Sequence, residues 1–337
     1  MSRVAVIGAG AWGTGLAIVL GRKGSHTVKL WAHEAEVRDS IASSRTNAHF
    51  LPGCSIPQSI SVTGDLQKAI HDAEMVVSVM PSQHCRNLFQ EMCPHLRPNM
   101  LFVSATKGLE ESSLLRMTEV ISSVVASDAG FQPRVGALSG PSFAREVARG
   151  DPTAITIASR DAKLADTVQH EFSDPSFRLY TNSDVIGVEL GGALKNIIAI
   201  AAGVCDGLNL GHNSIAALIT RGLAEITRLA IACGGRPETM AGLAGLGDLV
   251  LTCTGGLSRN RSVGVELGKG RKLTDIISDM HGAVAEGVFC TTAAVGLAKQ
   301  HSVEMPITQQ MDAILHQNKP PREAIHELMT RSARSEI

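Results

Sequence analysis

Val4-Ala5-Val6-Ile7-Gly8-Ala9-Gly10-Ala11-Trp12-Gly13 is an apolar run that breaks into glycines and then opens on a helical pattern. Val4 to Ile7 reads as a buried β-strand, and Gly13 to Lys23 as a helix. The string Gly8-x-Gly10-x-x-Gly13 is weak alone, because a chain with 33 glycines produces chance matches. Its place between a strand and a helix, at the start of a βαβ unit, is the context a dinucleotide-binding turn requires. Gly8 permits the tight turn, Gly10 lets backbone approach a pyrophosphate, and Gly13 lets helix pack on strand. Free N–H groups at the helix start suit the anion. A purely structural strand–helix turn is the competing reading.

The same alternation extends outward from this stretch. Val28 to Trp31, Met75 to Val79, Leu101 to Ser104, Val135 to Leu138, Ala154 to Ala158 and Phe177 to Tyr180 read as further strands. Their runs are apolar on both faces, as in a parallel sheet covered by helices. Ser113 to Ala126 reads as one of the intervening helices. After Tyr180 strand-like runs stop, and Asp184–Asp206, Ser214–Gly234, Arg259–Lys269 and Thr291–Gln300 read as helices. Ser183 or Asp184 is a suitable N-cap. The expected architecture is an α/β Rossmann-like domain with a mostly parallel sheet over residues 1–183, then an all-α domain over 184–337. The polar tail from Arg331 is expected to fray.

Composition narrows the function classes. The 337 residues fit two domains at about 150 residues each. With 31 Lys and Arg against 32 Asp and Glu, the net charge of −1 gives no polyanion-binding surface. Aromatics are 3% of the chain, which disfavours nucleic-acid modules that stack bases. No basic and apolar leader precedes Val4, and uninterrupted apolar runs such as Ile197 to Cys205 fall short of a bilayer span. No stable membrane insertion is expected. The cysteines, Cys54, Cys85, Cys93, Cys205, Cys233, Cys253 and Cys290, are odd in number and none stands in C-x-x-C spacing. That favours a reducing cytoplasm over a disulfide framework, and no metal site is expected.

Several segments carry chemistry. The second strand ends Leu30-Trp31-Ala32-His33-Glu34, so no carboxylate stands at the strand end itself and Glu34 arrives late. A 2′-phosphate is not repelled from Ala32 and can accept a hydrogen bond from His33; NADP is permitted and NAD is not excluded. Ala105-Thr106-Lys107-Gly108 and Ser139-Gly140-Pro141-Ser142 follow strands, where open α/β sheets bind ligands. In the first helix after the boundary, Gly191 and Gly192 precede Lys195-Asn196 on one face. They are expected to leave room for a ligand beside Lys195, and a partly buried amine suits acid/base work. In Gly245-Leu246-Gly247-Asp248, the carboxylate can pair with a catalytic lysine or cap a helix, and Thr252 shares its face. Gly255-Gly256-Leu257-Ser258-Arg259-Asn260-Arg261 combines donors and two guanidiniums at a helix start, the makings of a phosphate cradle. A solvated basic turn has the same composition.

Taken together in this order and spacing, the glycine turn, Ala105-Thr106-Lys107-Gly108, Leu138 to Ser142, Leu194-Lys195-Asn196, Gly245 to Leu249 and Ser258-Arg259-Asn260 resemble the soluble, bacterial-type NAD(P)-dependent glycerol-3-phosphate dehydrogenases. The resemblance runs from Met1 to about Lys319. It implies an active site between the two domains that interconverts sn-glycerol 3-phosphate and dihydroxyacetone phosphate with NADP or NAD, for glycerophospholipid synthesis. It implies Lys195 as the general acid/base, with Lys107 and Asp248 beside it. Gly140, Ser142, Ser258, Arg259 and Asn260 would line the substrate site with those three. Gly8, Gly10, Ala11, Trp12, Gly13, His33, Lys107, Ala144, Arg259, Val284 and Glu286 would contact the cofactor. Ala11 stands where a serine is common in that family. A homodimer in the cytoplasm is implied as well.

Three other readings stay open at this point. A related dehydrogenase acting on another hydroxy acid shares the two-domain layout and catalytic lysine. A dinucleotide-sensing module binds without turnover, and needs no Lys195 in a groove. A purely structural interaction protein explains none of the strand-end motifs.

Overall fold

The computed structural model describes residues 2–280, 284–333 and 335; of the tail from Arg331, residues 334, 336 and 337 lie outside the described residues. Among the described residues, ten strands occupy the first half. They are β1 (Ser2–Ile7), β2 (His26–Trp31), β3 (Thr46–Asn47), β4 (Leu51–Ser55), β5 (Ile60–Thr63), β6 (Met75–Ser78), β7 (Leu101–Ser104), β8 (Arg134–Ser139), β9 (Thr153–Ala158) and β10 (Phe177–Asn182). Eight of them form one sheet in the order β10-β9-β8-β7-β6-β1-β2-β5, and β3 pairs with β4. Pairing in the large sheet is parallel except between β8 and β9. Helices α1 (Ala11–Arg22), α2 (Ala35–Ser44), α3 (Leu66–Ile70), α4 (Cys85–Met92), α5 (Met117–Val124), α6 (Ala144–Arg149) and α7 (Ala162–Phe172) connect the strands.

Alternation along β1 shows why its sequence is apolar from Val4 to Ile7. Val4 and Val6 enter one core with Leu16, Val28 and Phe172, while Ala5 and Ile7 enter a second with Phe89, Phe102 and Val120. The sheet is thus covered on both faces, and each buried side chain contributes to one of two apolar layers.

Seven strands coincide with runs legible in the sequence. The small sheet and β5 do not, because Leu51–Ser55 carries Pro52 and Gly53, and β5 is a four-residue edge. The helix expected over Ser113–Ala126 starts later, and a π-helical turn over Val125–Ala129 carries it past the expected end. Leu114 has φ +62, and Glu119 accepts from the Arg116 backbone N–H at 3.1 Å, so the capping box starts α5 at Met117.

The second half is helical: α8 (Val185–Gly207), α9 (His212–Ala232), α10 (Pro237–Met240), α11 (Asp248–Thr254), α12 (Arg259–Gly268), α13 (Leu273–Ser278), α14 (Glu286–Gln300), α15 (Pro306–His316) and α16 (Pro321–Met329). The Asp184 side chain accepts from the Gly187 N–H at 2.9 Å and caps α8. Every residue from Gly187 to Cys205 is buried, so α8 is the spine of this half. With a mean hydropathy of 1.6 it is long and apolar enough to cross a membrane, although its unbroken apolar runs are short; its surfaces are taken up by protein. Helix α12 lies directly against it, where a Cβ on Gly264 would overlap the Ile200 carbonyl. That backbone-to-backbone approach sets the start of α12 beside the middle of α8. Helix α14 begins five residues before the expected Thr291, and its Gly287 fits against the Asn196 carbonyl, 2.7 Å from where a Cβ would stand.

Candidate active site

Ile7 pairs with both Trp31 and Ser78, so the turns after β1, β2 and β6 leave the sheet at one level. They open onto a cleft of about 800 Å³ that the helical half closes from the other side. Gly8 has φ +119, and a Cβ there would come within 2.7 Å of the Val79 carbonyl oxygen. Only glycine fits such a turn without strain. Gly10 is the opposite case, with nothing within 4 Å of a Cβ position, so its backbone is open to the cleft. Beside it, the Trp12 indole Nε1 is buried and has no hydrogen-bond acceptor among the described residues. An unobstructed glycine turn, the free N–H groups at the start of α1 and an unpartnered indole donor fit a dinucleotide.

The floor of the cleft is an ion cluster drawn from three elements. Asp248, on the first turn of α11, accepts from Lys107 Nζ on Oδ2 at 2.6 Å and pairs with Lys195 Nζ through Oδ1 at 2.9 Å. Its side chain is 2% exposed, against 8% for Lys195 and 16% for Lys107. Lys107 also donates to the Gly140 carbonyl at 3.0 Å. Lys195 donates to Thr252 Oγ1 at 2.7 Å, and Thr252 donates onward to the Asp248 carbonyl at 2.6 Å. Burial lowers the Lys107 pKa to about 8; the neighbouring Lys195 charge pushes the same way and Asp248 opposes both. Of the two readings open for Asp248, its side chain makes the lysine pairing, and Gly247 occupies the N-cap position of α11.

Of the expected site residues, Gly8, Gly10, Ala11, Trp12, His33, Lys107, Ser142, Ala144, Lys195, Ser258, Arg259, Asn260, Val284 and Glu286 line this one cleft. Gly13, Gly140 and Asp248 stand behind its wall. A Cβ on Gly13 would overlap the Gly8 carbonyl, so Gly13 serves the packing of α1 on the turn. Gly140, with φ +142, turns its carbonyl to both Lys107 Nζ and Ser142 Oγ, the latter at 3.0 Å.

Two expectations fail. Gly191 and Gly192 leave no room for a ligand: a Cβ on Gly191 would stand 2.6 Å from the Ala244 carbonyl, and one on Gly192 would overlap Ser139 Oγ. These glycines admit the neighbouring chain instead. Arg261 does not join the phosphate cradle; its guanidinium pairs with Asp206 on α8. Arg259 does face the cleft, with Nη1 donating to the Val284 carbonyl at 3.3 Å. Ser258 caps α12 by accepting from the Arg261 N–H at 3.2 Å. Asn260 donates to Asn196 Oδ1 at 3.0 Å and accepts from the Gly287 N–H at 2.9 Å, tying α8, α12 and α14 together.

Sequence reasoning missed Ser82, just beyond β6. Its N–H and hydroxyl donate to the Glu286 carboxylate at 3.2 and 2.7 Å, joining the two halves across the cleft. Burial raises the Glu286 pKa, and the Ser82 bonds oppose that rise. The carboxyl end of β6 was a signal that could have found Ser82. His49 to Pro52, on the opposite wall, lie in a segment with no periodicity to read. Among the described residues no group of three His, Cys, Asp or Glu is placed to hold a metal ion.

Comparison with known proteins supplies an independent line. Residues 3–165 match the family described as NAD-dependent glycerol-3-phosphate dehydrogenase N-terminus, and residues 184–326 match the corresponding C-terminus. A protein of Koribacter versatilis called glycerol-3-phosphate dehydrogenase [NAD(P)+] is 70% identical, covering 100% of this chain and 99% of its own. Its namesake in Acidobacterium capsulatum is 56% identical over the full length of both. The crystal structure of glycerol-3-phosphate dehydrogenase from Coxiella burnetii superposes with a TM-score of 0.92 at 40% identity, covering 98% of this chain and 99% of that one.

Proposed function

The chain belongs to the NAD-dependent glycerol-3-phosphate dehydrogenases, and from that premise we propose how its cleft interconverts sn-glycerol 3-phosphate and dihydroxyacetone phosphate. It is an NAD(P)-dependent oxidoreductase, and the observation that carries the assignment of roles is Asp248 holding Lys107 and Lys195 together at the end of a dinucleotide cleft. A nicotinamide dinucleotide held by the glycine turn would supply the hydride chemistry at the substrate C2.

This chain's own residues supply the proton, the charge and the alignment. Lys195 donates a proton to the C2 oxygen when the ketone is reduced, and removes it when the alcohol is oxidised. Thr252 and Asp248 fix the direction of its amine. Lys107 places a second cation beside the same oxygen, where negative charge develops. Arg259 and the free N–H groups at the start of α12 hold the substrate phosphate, and Ser142 and Asn260 border the carbon chain. Gly8 to Gly13 and Trp12 hold the cofactor, with Ala11, His33, Ala144, Val284 and Glu286 along its length. Residues 1–183 form the cofactor domain and 184–337 the catalytic domain. The resemblance supports a cytoplasmic homodimer that supplies glycerol 3-phosphate for glycerophospholipids, and sedimentation of the pure protein tests its dimeric state.

Steady-state turnover of dihydroxyacetone phosphate, with NADH and NADPH in parallel, tests the whole reading. No turnover with either nucleotide would overturn it.

A further inference from the structure

We infer that Glu34 makes this cleft select the cofactor that lacks a 2′-phosphate, so that NADH is held in preference to NADPH; this rests on the cofactor role proposed for the same cleft. Along the chain, Ala32 and His33 separate Glu34 from the end of β2, which makes it look too distant to act. The fold brings it back. Glu34 is the N-cap residue of α2, with extended backbone at φ −75 and ψ 128, and its carboxylate makes no capping bond. It lines the cleft together with His33. Because β1 and β2 are parallel and in register at Ile7 and Trp31, the turn bearing Glu34 stands next to the glycine turn. The adenosine ribose of a dinucleotide held at Gly8–Gly13 sits at that position, about 20 residues beyond the glycines in sequence.

Glu34 is the acidic side chain that the turn after β2 presents to the cleft, beside the His33 ring. Glu91, on α4 after β6, also lines the cleft, but on the other side of β1 from β2. Lys107, Lys195 and Arg259 belong to the substrate end, and Arg145 is carried on α6 after β8, on the other side of β1 from β2. The guanidinium beside the turn is that of Arg38, and it is bound to the turn's own carbonyls rather than part of the cleft lining. Its Nη1 donates to the Ala32 carbonyl at 2.9 Å and to the His33 carbonyl at 2.7 Å, and the group is wedged against Gly64. Arg38 therefore braces the turn. A ribose 2′-hydroxyl can donate to the Glu34 carboxylate. A 2′-phosphate brings further negative charge with no donor to offer, so repulsion by Glu34 weakens its binding even where the His33 ring donates to it.

The test is equilibrium titration of the full-length protein with NADH and with NADPH, followed by nucleotide fluorescence. ADP-ribose and its 2′-phosphate serve as competitors that remove the nicotinamide from the comparison. Wild type is expected to bind NADH about tenfold more tightly, a gap that narrows as salt screens the repulsion. Glu34→Gln should close most of the gap by tightening NADPH, and Glu34→Arg should reverse it. The kcat/KM ratio for the two nucleotides should move in parallel. Equal affinities in wild type, or a ratio unmoved by Glu34→Gln, would overturn the inference. So would tight NADPH binding that Arg38→Gln abolishes, which would assign the phosphate to Arg38. Binding of neither nucleotide would instead overturn the cofactor reading of the cleft, and the inference with it.

Discussion

Lys107 and Lys195 meet on a single carboxylate: one Asp248 oxygen holds the first at 2.6 Å and the other holds the second at 2.9 Å. The two amines arrive from different halves of the chain, one after β7 and one from the middle of α8. Asp248 thus holds side by side two amines that would repel each other as cations.

The first prediction concerns pH. Lys107 has its pKa lowered to about 8, chiefly by burial, so it is cationic below that value and loses its charge above it. If the cation offsets charge on the forming alkoxide, kcat/KM for ketone reduction falls as pH rises through about 8. Lys107→Arg keeps the charge at higher pH and should displace that limb upward, even if the absolute rate drops. A limb in the same place in both proteins would remove Lys107 from this role.

Lys195→Ala should lower kcat by roughly 10²–10⁴-fold, the usual worth of a general acid/base. Nucleotide affinity, measured by fluorescence titration, should stay within about twofold, since that variant leaves the glycine turn intact. Near-normal turnover in a folded Lys195→Ala protein would mean that another group moves the proton.

Arg259 is tested by a cycle of two enzymes and two ketones. Arg259→Ala should raise KM for dihydroxyacetone phosphate and reduce kcat as well, because phosphate binding helps place the carbonyl. Unphosphorylated dihydroxyacetone should lose far less. Arg259→Lys retains the charge without the fork and should remain impaired. Equal proportional losses for both ketones would show that Arg259 does not read the phosphate.

Gly191 and Gly192 should differ in stability. A Cβ at Gly191 meets a backbone carbonyl at 2.6 Å, whereas one at Gly192 meets the hydroxyl of Ser139, a buried group with no hydrogen-bond partner to hold it. Gly191→Ala should cost about 1–3 kcal/mol from overpacking. In Gly192→Ala, Ser139 can rotate aside, and the roughly 1 kcal/mol gained in helix propensity should leave it near neutral. Thermal melts of the two variants give the comparison, and the reverse order would show that the carbonyl moves more easily than the hydroxyl.

The readable parts of the sequence were those in which one local pattern had one cause. Val4 to Ile7 feeds two apolar layers, so it is apolar at every position, and the glycines after it have separate steric reasons visible in sequence. The lysines, Asp248 and Arg259 were recognisable as chemistry-bearing, but their mutual arrangement comes from helix packing that spacing does not encode. The Gly191–Gly192 pair shows the limit. Small residues on a helix face signal close approach, and the sequence does not say whether a ligand or another stretch of chain approaches. Glu34 shows it from the other side, since distance along the chain hid a residue that the turn after β2 returns to the wall. Ser82 was missed because its partner, Glu286, is supplied by the other half of the molecule.

Lys195 is carried in the middle of a helix buried without a break from Gly187 to Cys205. An amine hung from a loop can lose its aim through local loosening long before a protein melts. Here the amides around Lys195 should exchange with solvent only when the whole helical half opens. If Lys195 moves the proton, heat inactivation should therefore coincide with cooperative unfolding of that half, and pulse-labelling exchange along a thermal ramp would show α8 and activity disappearing together.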